Sequence, residues 1–180
     1  PESVREKGFK NLKPLTPDWF GYSVLRSTVH ADLYKQILDM SEKMDFPIEG
    51  LHTETGPGVL EAAIAVDGAE SAADKGALFK TFMKVLAQRN GLMATFMAKW
   101  STDCPGQSGH IHVSLRHRDG SGSAFYDPNK QHCMSRIQRH FLAGQQRLMP
   151  EFLCMIAPTI NSYTRLIPGF WAPTDATWGV

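Results

Sequence analysis

Leu33, Ile37, Met40 and Met44 recur at helical spacing, which predicts a helix from about Thr28 to Met44. From Phe46 to Val66 the period changes. Two strand-like runs flank Thr55-Gly56-Pro57-Gly58, which reads as a tight turn. Asp67 with Glu70 has the form of a helix-start box, and Leu78, Phe79, Phe82, Met83 and Leu86 place one apolar stripe on the helix that follows, up to Asn90-Gly91. Met93 to Trp100 reads as another strand. It leads into the loop and alternating run CPGQSGHIHVSL, Cys104 to Leu115. Arg116 to Lys130 is polar and turn-rich, as a surface hairpin connection is. Ser135 with Gln138 opens a second amphipathic helix carrying Ile137, Phe141 and Leu148, and Pro150 is placed to start a short further helix ending before Pro158. Residues 1 to about 20 and the stretch after Ala157 show no period and read as irregular.

Composition narrows the class. With 180 residues and 42% hydrophobic content, the chain can bury a single core, and no repeat or linker divides it, so residues 1–180 are expected to form one domain. Nineteen basic against 18 acidic residues, without long runs of either sign, give nucleic acid no landing patch. No apolar run nears the roughly 18 residues of a membrane span. Cys104, Cys133 and Cys154 are odd in number and far apart, which fits a reducing cytoplasm better than a disulfide framework. The first residue is Pro1, so the chain is expected to be an internal piece of a longer protein.

Three clusters offer chemistry. Alternation puts His110, His112 and Ser114 on one face, suited to a metal or a nucleotide, although a half-buried strand with a polar outer face has the same pattern. Glu49, Glu54 and Glu61 lie among apolar neighbours, either as surface charges or as carboxylates gathered around a cation. His52 and Glu54 share a strand face while Glu49 points away, so a bulge near Gly50 is needed to gather those three. Glu54 and Glu61 are seven apart, and the turn between them can fold one run back along the other. Arg165, between apolar residues, is either a surface charge or a bidentate clamp for a carboxylate or phosphate.

Taken together, GLHTETGPGVLEAAI, ATFMAKW, PGQSGHIHVSL and PTINSYTRLIPGFWAP resemble, in order, the signature of the glutamine synthetase family's catalytic domain, over residues 50 to 173. The resemblance implies an α+β fold, a curved and largely antiparallel sheet with packed helices. It also implies Glu54 and Glu61 as ligands of the metal nearer glutamate, and His110 as a ligand of the metal nearer the ATP phosphates. Oxygen-rich coordination with one imidazole suits Mg²⁺ or Mn²⁺ better than zinc. Glu49, His52, His112 and Ser114 then fall at nucleotide-pocket positions, Arg165 at the arginine that grips glutamate, and Gly106 at a glycine whose backbone approaches it. The implied reaction is γ-carboxylate attack on ATP, giving a γ-glutamyl phosphate that an amine displaces, in a ring-like homo-oligomer.

Two departures from the family pattern bear on the substrates. Pro105 stands where glutamine-forming members commonly carry asparagine. Trp171, in FWAP, stands where the flap over the intermediate usually has glutamate. The change at Pro105 bears on how glutamate is recognised, and the change at Trp171 resembles the branch that joins glutamate to organic amines, such as the γ-glutamylpolyamine synthetases. The competing readings are a glutamine synthetase using ammonia and a non-catalytic relative that keeps the fold. A single-metal barrel protein with an HxH motif is disfavoured by the long helices between strands.

Overall fold

A computed structural model describes residues 2–169, 175, 177 and 178. The chain divides into two compact units, Pro1–Gln107 and Ser108–Val180. The first contains α1 (Glu2–Glu6), α2 (Val24–Val29), α3 (Ala31–Lys43), an antiparallel hairpin of β1 (Ile48–Thr53) and β2 (Leu60–Ile64), and α4 (Ala69–Arg89). α3 packs on β1, α4 on β2, and the two helices on each other.

The helical stripe read from Leu33 and Ile37 is the buried face of α3. The expected single helix from Thr28 is instead two, because the chain leaves helical geometry at His30, which ends α2 and caps α3. Ser23 starts α2 by accepting the Arg26 N–H at 3.3 Å. Residues near the start of the chain, expected to be irregular, include the short α1. At the start of α4 the expected box is not formed: Gly68 is the cap, and Asp67 instead takes the Gly68 N–H, the Ser71 hydroxyl and the Lys75 ammonium. Those partners, Lys75 first, hold the Asp67 carboxyl well below the usual carboxylate range.

The core of this unit gathers at Phe46, where α3 hands over to β1. Phe46 and Ile37 have no exposed surface. Phe46, Phe79 of α4 and Phe96 form a ladder of edge-to-face rings, with centroids 6.3 and 6.2 Å apart. Residues 93–100, expected to be a strand, form no ladder here. Phe96 is instead committed to this ring stack and the neighbouring carbonyls to Gln107, so the apolar pattern serves packing, not pairing.

The second unit holds a polar hairpin loop, α5 (Arg136–Ile156) and α6 (Ile160–Arg165). Bridges Arg116 to Ser123 and Tyr126 to Met134 close the loop expected over 116–130. Ser135 caps α5 through the Gln138 N–H at 3.2 Å, as its spacing predicts. Three expectations are corrected. Pro150 sits inside α5 and does not begin a new helix, costing one backbone bond without ending a well-nucleated run. Asn161 to Arg165 is helical. The run 108–115 is not a ladder strand among the described residues: alternation selects two faces but not a partner, and both faces are exposed here, Ile111 at 88%. The apolar face of α5 is likewise largely open, with Ile137 and Leu148 exposed where core was expected.

Replacing Phe46 by alanine is expected to cost about 3–5 kcal/mol in urea unfolding of the full-length protein, because a filled ring site empties. Phe9→Ala, at a surface ring, should stay within about 0.5 kcal/mol.

Candidate metal and substrate site

The hairpin register decides which side chains meet. His52 lies directly opposite Glu61, and Thr53 opposite Leu60. Beyond the last pair the Glu54 N–H donates to Val59 O at 2.9 Å, and the Val59 N–H to Gly56 O at 3.1 Å, closing the predicted turn. His52 and Glu54 share a face, as their parity requires, with Nε2 and Oε1 3.1 Å apart. One donor atom each from His52, Glu54 and Glu61 lies within 4.8 Å of the other two. An imidazole and two carboxylates in that space form a donor set for a hard divalent cation, Mg²⁺ or Mn²⁺.

The bulge anticipated near Gly50 is present, since the register slips between Ile48 and Gly50. Glu49 is the extra residue, but it is exposed and not part of the cluster. The bulge therefore restores the pairing of Gly50 onward without bringing Glu49 to His52 and Glu54.

A strap from the start of the chain holds the turn, and sequence reasoning assigned it no chemistry. The Thr16 hydroxyl, on a residue 3% exposed, accepts the Gly58 N–H at 2.9 Å. Gly58 has φ +72°, and a Cβ there would stand 2.9 Å from the Leu15 nitrogen. A Cβ on Gly21 would stand 2.9 Å from both the Glu54 carbonyl carbon and the Thr55 nitrogen, so only glycine lets the strap lie on the turn's backbone. Tyr22 follows, with φ 54°. Its N–H donates to Thr53 O at 2.6 Å, and the next N–H, of Ser23, reaches the Thr53 hydroxyl at 3.2 Å. Thus anchored, the Tyr22 ring stacks on His52 with centroids 4.8 Å apart and planes 17° from parallel.

These contacts set the charge state of Glu54. Partial burial would raise its carboxyl, but hydrogen bonds from Tyr22, the Thr55 N–H and His52 outweigh that and bring it below its ordinary value. The same hydrogen bond to Glu54, followed by the carboxylate's charge, raises the Tyr22 phenol. Glu54 is thus kept ionised, the form a cation needs. The only sequence signal for Tyr22 was a Gly-aromatic pair just before the Ser23 cap.

Gly106 belongs to the same unit as the hairpin. His110, His112 and Ser114 lie in the other unit, all exposed. Arg165 ends α6 half-buried; burial lowers its guanidinium from the ordinary value, and its Nε has no hydrogen-bond partner among the described residues. Trp171 lies outside the described residues.

Comparison with known proteins bears on the whole of this layout. A family model described as the glutamine synthetase catalytic domain matches residues 11–180. The chain is 46% identical over 179 residues to type-1 glutamine synthetase 2 of Dictyostelium discoideum, covering 99% of this chain and 34% of the relative. It is 35% identical over 178 residues to a γ-glutamylethanolamide synthetase of Streptomyces coelicolor, covering 99% of this chain and 37% of that one. The chain thus spans about a third of the length of these relatives. The cryo-EM structure of Plasmodium falciparum glutamine synthetase shares its fold, with TM-score 0.76 at 22% identity over 89% of this chain and 30% of that one. The α+β architecture is therefore that of the glutamine synthetase catalytic domain, and the chain belongs to that family.

Proposed function

We propose that the protein containing this chain is an ATP-dependent ligase that joins the γ-carboxylate of glutamate to an amine through a γ-glutamyl phosphate. The observation that carries this is the convergence of His52, Glu54 and Glu61 at one hairpin end, in a chain of this family. Two carboxylates within 4.8 Å repel by on the order of 1–3 kcal/mol, depending on the effective dielectric. Such crowding has a use where a cation is to be held.

In this reading Glu54 and Glu61 hold a divalent cation and His110 serves a second. Cations at these places would supply charge neutralisation for the transferring phosphoryl group. Glu49, His52, His112 and Ser114 line the nucleotide pocket, with Tyr22 fixing the His52 ring. Arg165 grips the substrate carboxylate, and its buried Nε, without a hydrogen-bond partner among the described residues, supports that role. Gly106 offers backbone to the same amino acid. No side-chain nucleophile is required, since positioning and charge neutralisation carry both steps. The enzyme is expected to work in the cytoplasm as a ring-like homo-oligomer.

For the acceptor we favour an organic amine or polyamine. Trp171 supports this choice, because an indole gives an alkyl chain a flat apolar surface and offers a second ammonium a π-face. The Streptomyces relative, named for γ-glutamylethanolamide, is in keeping with it. Ammonia is the second reading, favoured by the 46% identical relative named as a glutamine synthetase.

Phosphate release by the full-length protein with ATP, glutamate and either ammonium, ethanolamine, putrescine or spermidine tests the proposal. An alkyl amine should have the highest kcat/KM, and Trp171→Glu should move the ranking toward ammonium. An unmoved ranking, or ammonium as the best acceptor, would refute the organic-amine reading. Loss of one charge-assisted hydrogen bond is worth about 1.5–3 kcal/mol, so Arg165→Ala should raise the glutamate KM by about one to two orders of magnitude. The ATP KM should move far less, and an equal rise in both would mark Arg165 as structural.

A further inference from the structure

The loop carrying Gly106 is clasped at its neck by Gln107, through side chain and backbone. Gln107 Nε2 donates to the carbonyl oxygens of Thr95 and Met97, at 3.1 and 3.0 Å. The backbone N–H of Gln107 donates to Ala98 O at 2.8 Å. Both amide hydrogens and the main-chain donor are therefore spent on residues 95–98, which closes the intervening loop at its neck. On its other side the loop meets the metal-site turn, where a Cβ on Gly56 would stand 3.5 Å from Pro105 O. Gly106 thus sits between a residue resting on the turn and a residue clasped to the preceding segment.

The chemistry of the clasp is specific. Two carbonyl oxygens facing one side chain need a group with two N–H donors and no acceptor turned toward them. Glutamine meets this at its length; asparagine is a methylene short, and glutamate would oppose oxygen to oxygen. A glycine that must present its own backbone to a ligand has no side chain to anchor it, so its neighbours must set its orientation.

We propose that Gln107 is a positioning residue that fixes the Gly106 backbone toward the substrate amino acid and so sets the affinity for glutamate, but not for ATP. This rests on the reading of Gly106 as a glutamate contact.

The test compares Gln107→Met, which keeps the length without donors, and Gln107→Lys, which restores N–H donors, in the full-length protein. Two readouts are needed, amide hydrogen exchange over residues 101–109 and the separate KM values for glutamate and ATP. The methionine variant should exchange faster over 101–109. Its glutamate KM should rise roughly tenfold, the worth of the two neutral hydrogen bonds, with the ATP KM changed less than about twofold. The lysine variant should recover part of both effects. Unchanged exchange, an unchanged glutamate KM, or equal rises in both KM values would overturn the proposal. If the parent protein shows no glutamate-dependent turnover, the functional reading fails instead. Exchange then decides the clasp alone, faster exchange supporting it and unchanged exchange refuting it.

Discussion

Two carboxylates and an imidazole forced together at one hairpin end are the constraint on which the first unit is built. Left alone, the like charges of Glu54 and Glu61 would tend to part. Around them the chain does the opposite: the turn is closed by backbone bonds, the strap from Thr16 to Tyr22 lies on it at van der Waals distance, and three donors turn toward Glu54. Gly21 and Gly58 are required because backbone must lie on backbone there, and no side chain can be interposed. The aromatic ladder of Phe46, Phe79 and Phe96 gives this arrangement a fixed base, since only Pro47 separates Phe46 from the strand that carries His52.

How much of this was legible in the sequence follows from the range of each interaction. Local signals read well: the Thr55–Gly58 turn, the Ser135 cap and the stripe of α3 all depend on residues a few positions apart, whereas the bulge near Gly50 occurs without the gathering of Glu49 for which it was invoked. The approach of Glu54 to Glu61 was also foreseeable, because a hairpin converts a spacing of seven into a cross-strand neighbourhood. The strap was not legible. Tyr22 acts on residues some 30 positions away, and its left-handed backbone has no compositional mark beyond the glycine before it. The His110 run shows the converse failure, in which a clean alternation names two faces but says nothing of what pairs with them. Pro150 was over-read, since a proline within a long helix removes one bond and need not end it.

Family membership and local geometry answer different parts of the functional question. The family accounts for why carboxylates, imidazoles and an arginine recur in this order without a nucleophile. The geometry accounts for how the chain keeps Glu54 ionised and the glycine loop in place, and it adds Tyr22 and Gln107, which motif comparison passed over. The proposed preference for an organic amine rests on Trp171, an indole where the family pattern usually has glutamate, which would offer apolar surface in place of charge.

In the proposed function the hairpin carboxylates hold a divalent cation. Calorimetric Mn²⁺ titration of the full-length protein beside its Glu54→Gln/Glu61→Gln double variant tests it most directly, with circular dichroism to show that the variant is folded. One class of Mn²⁺ site should disappear in a folded variant, and superimposable isotherms for the two proteins would contradict a cation site at Glu54 and Glu61.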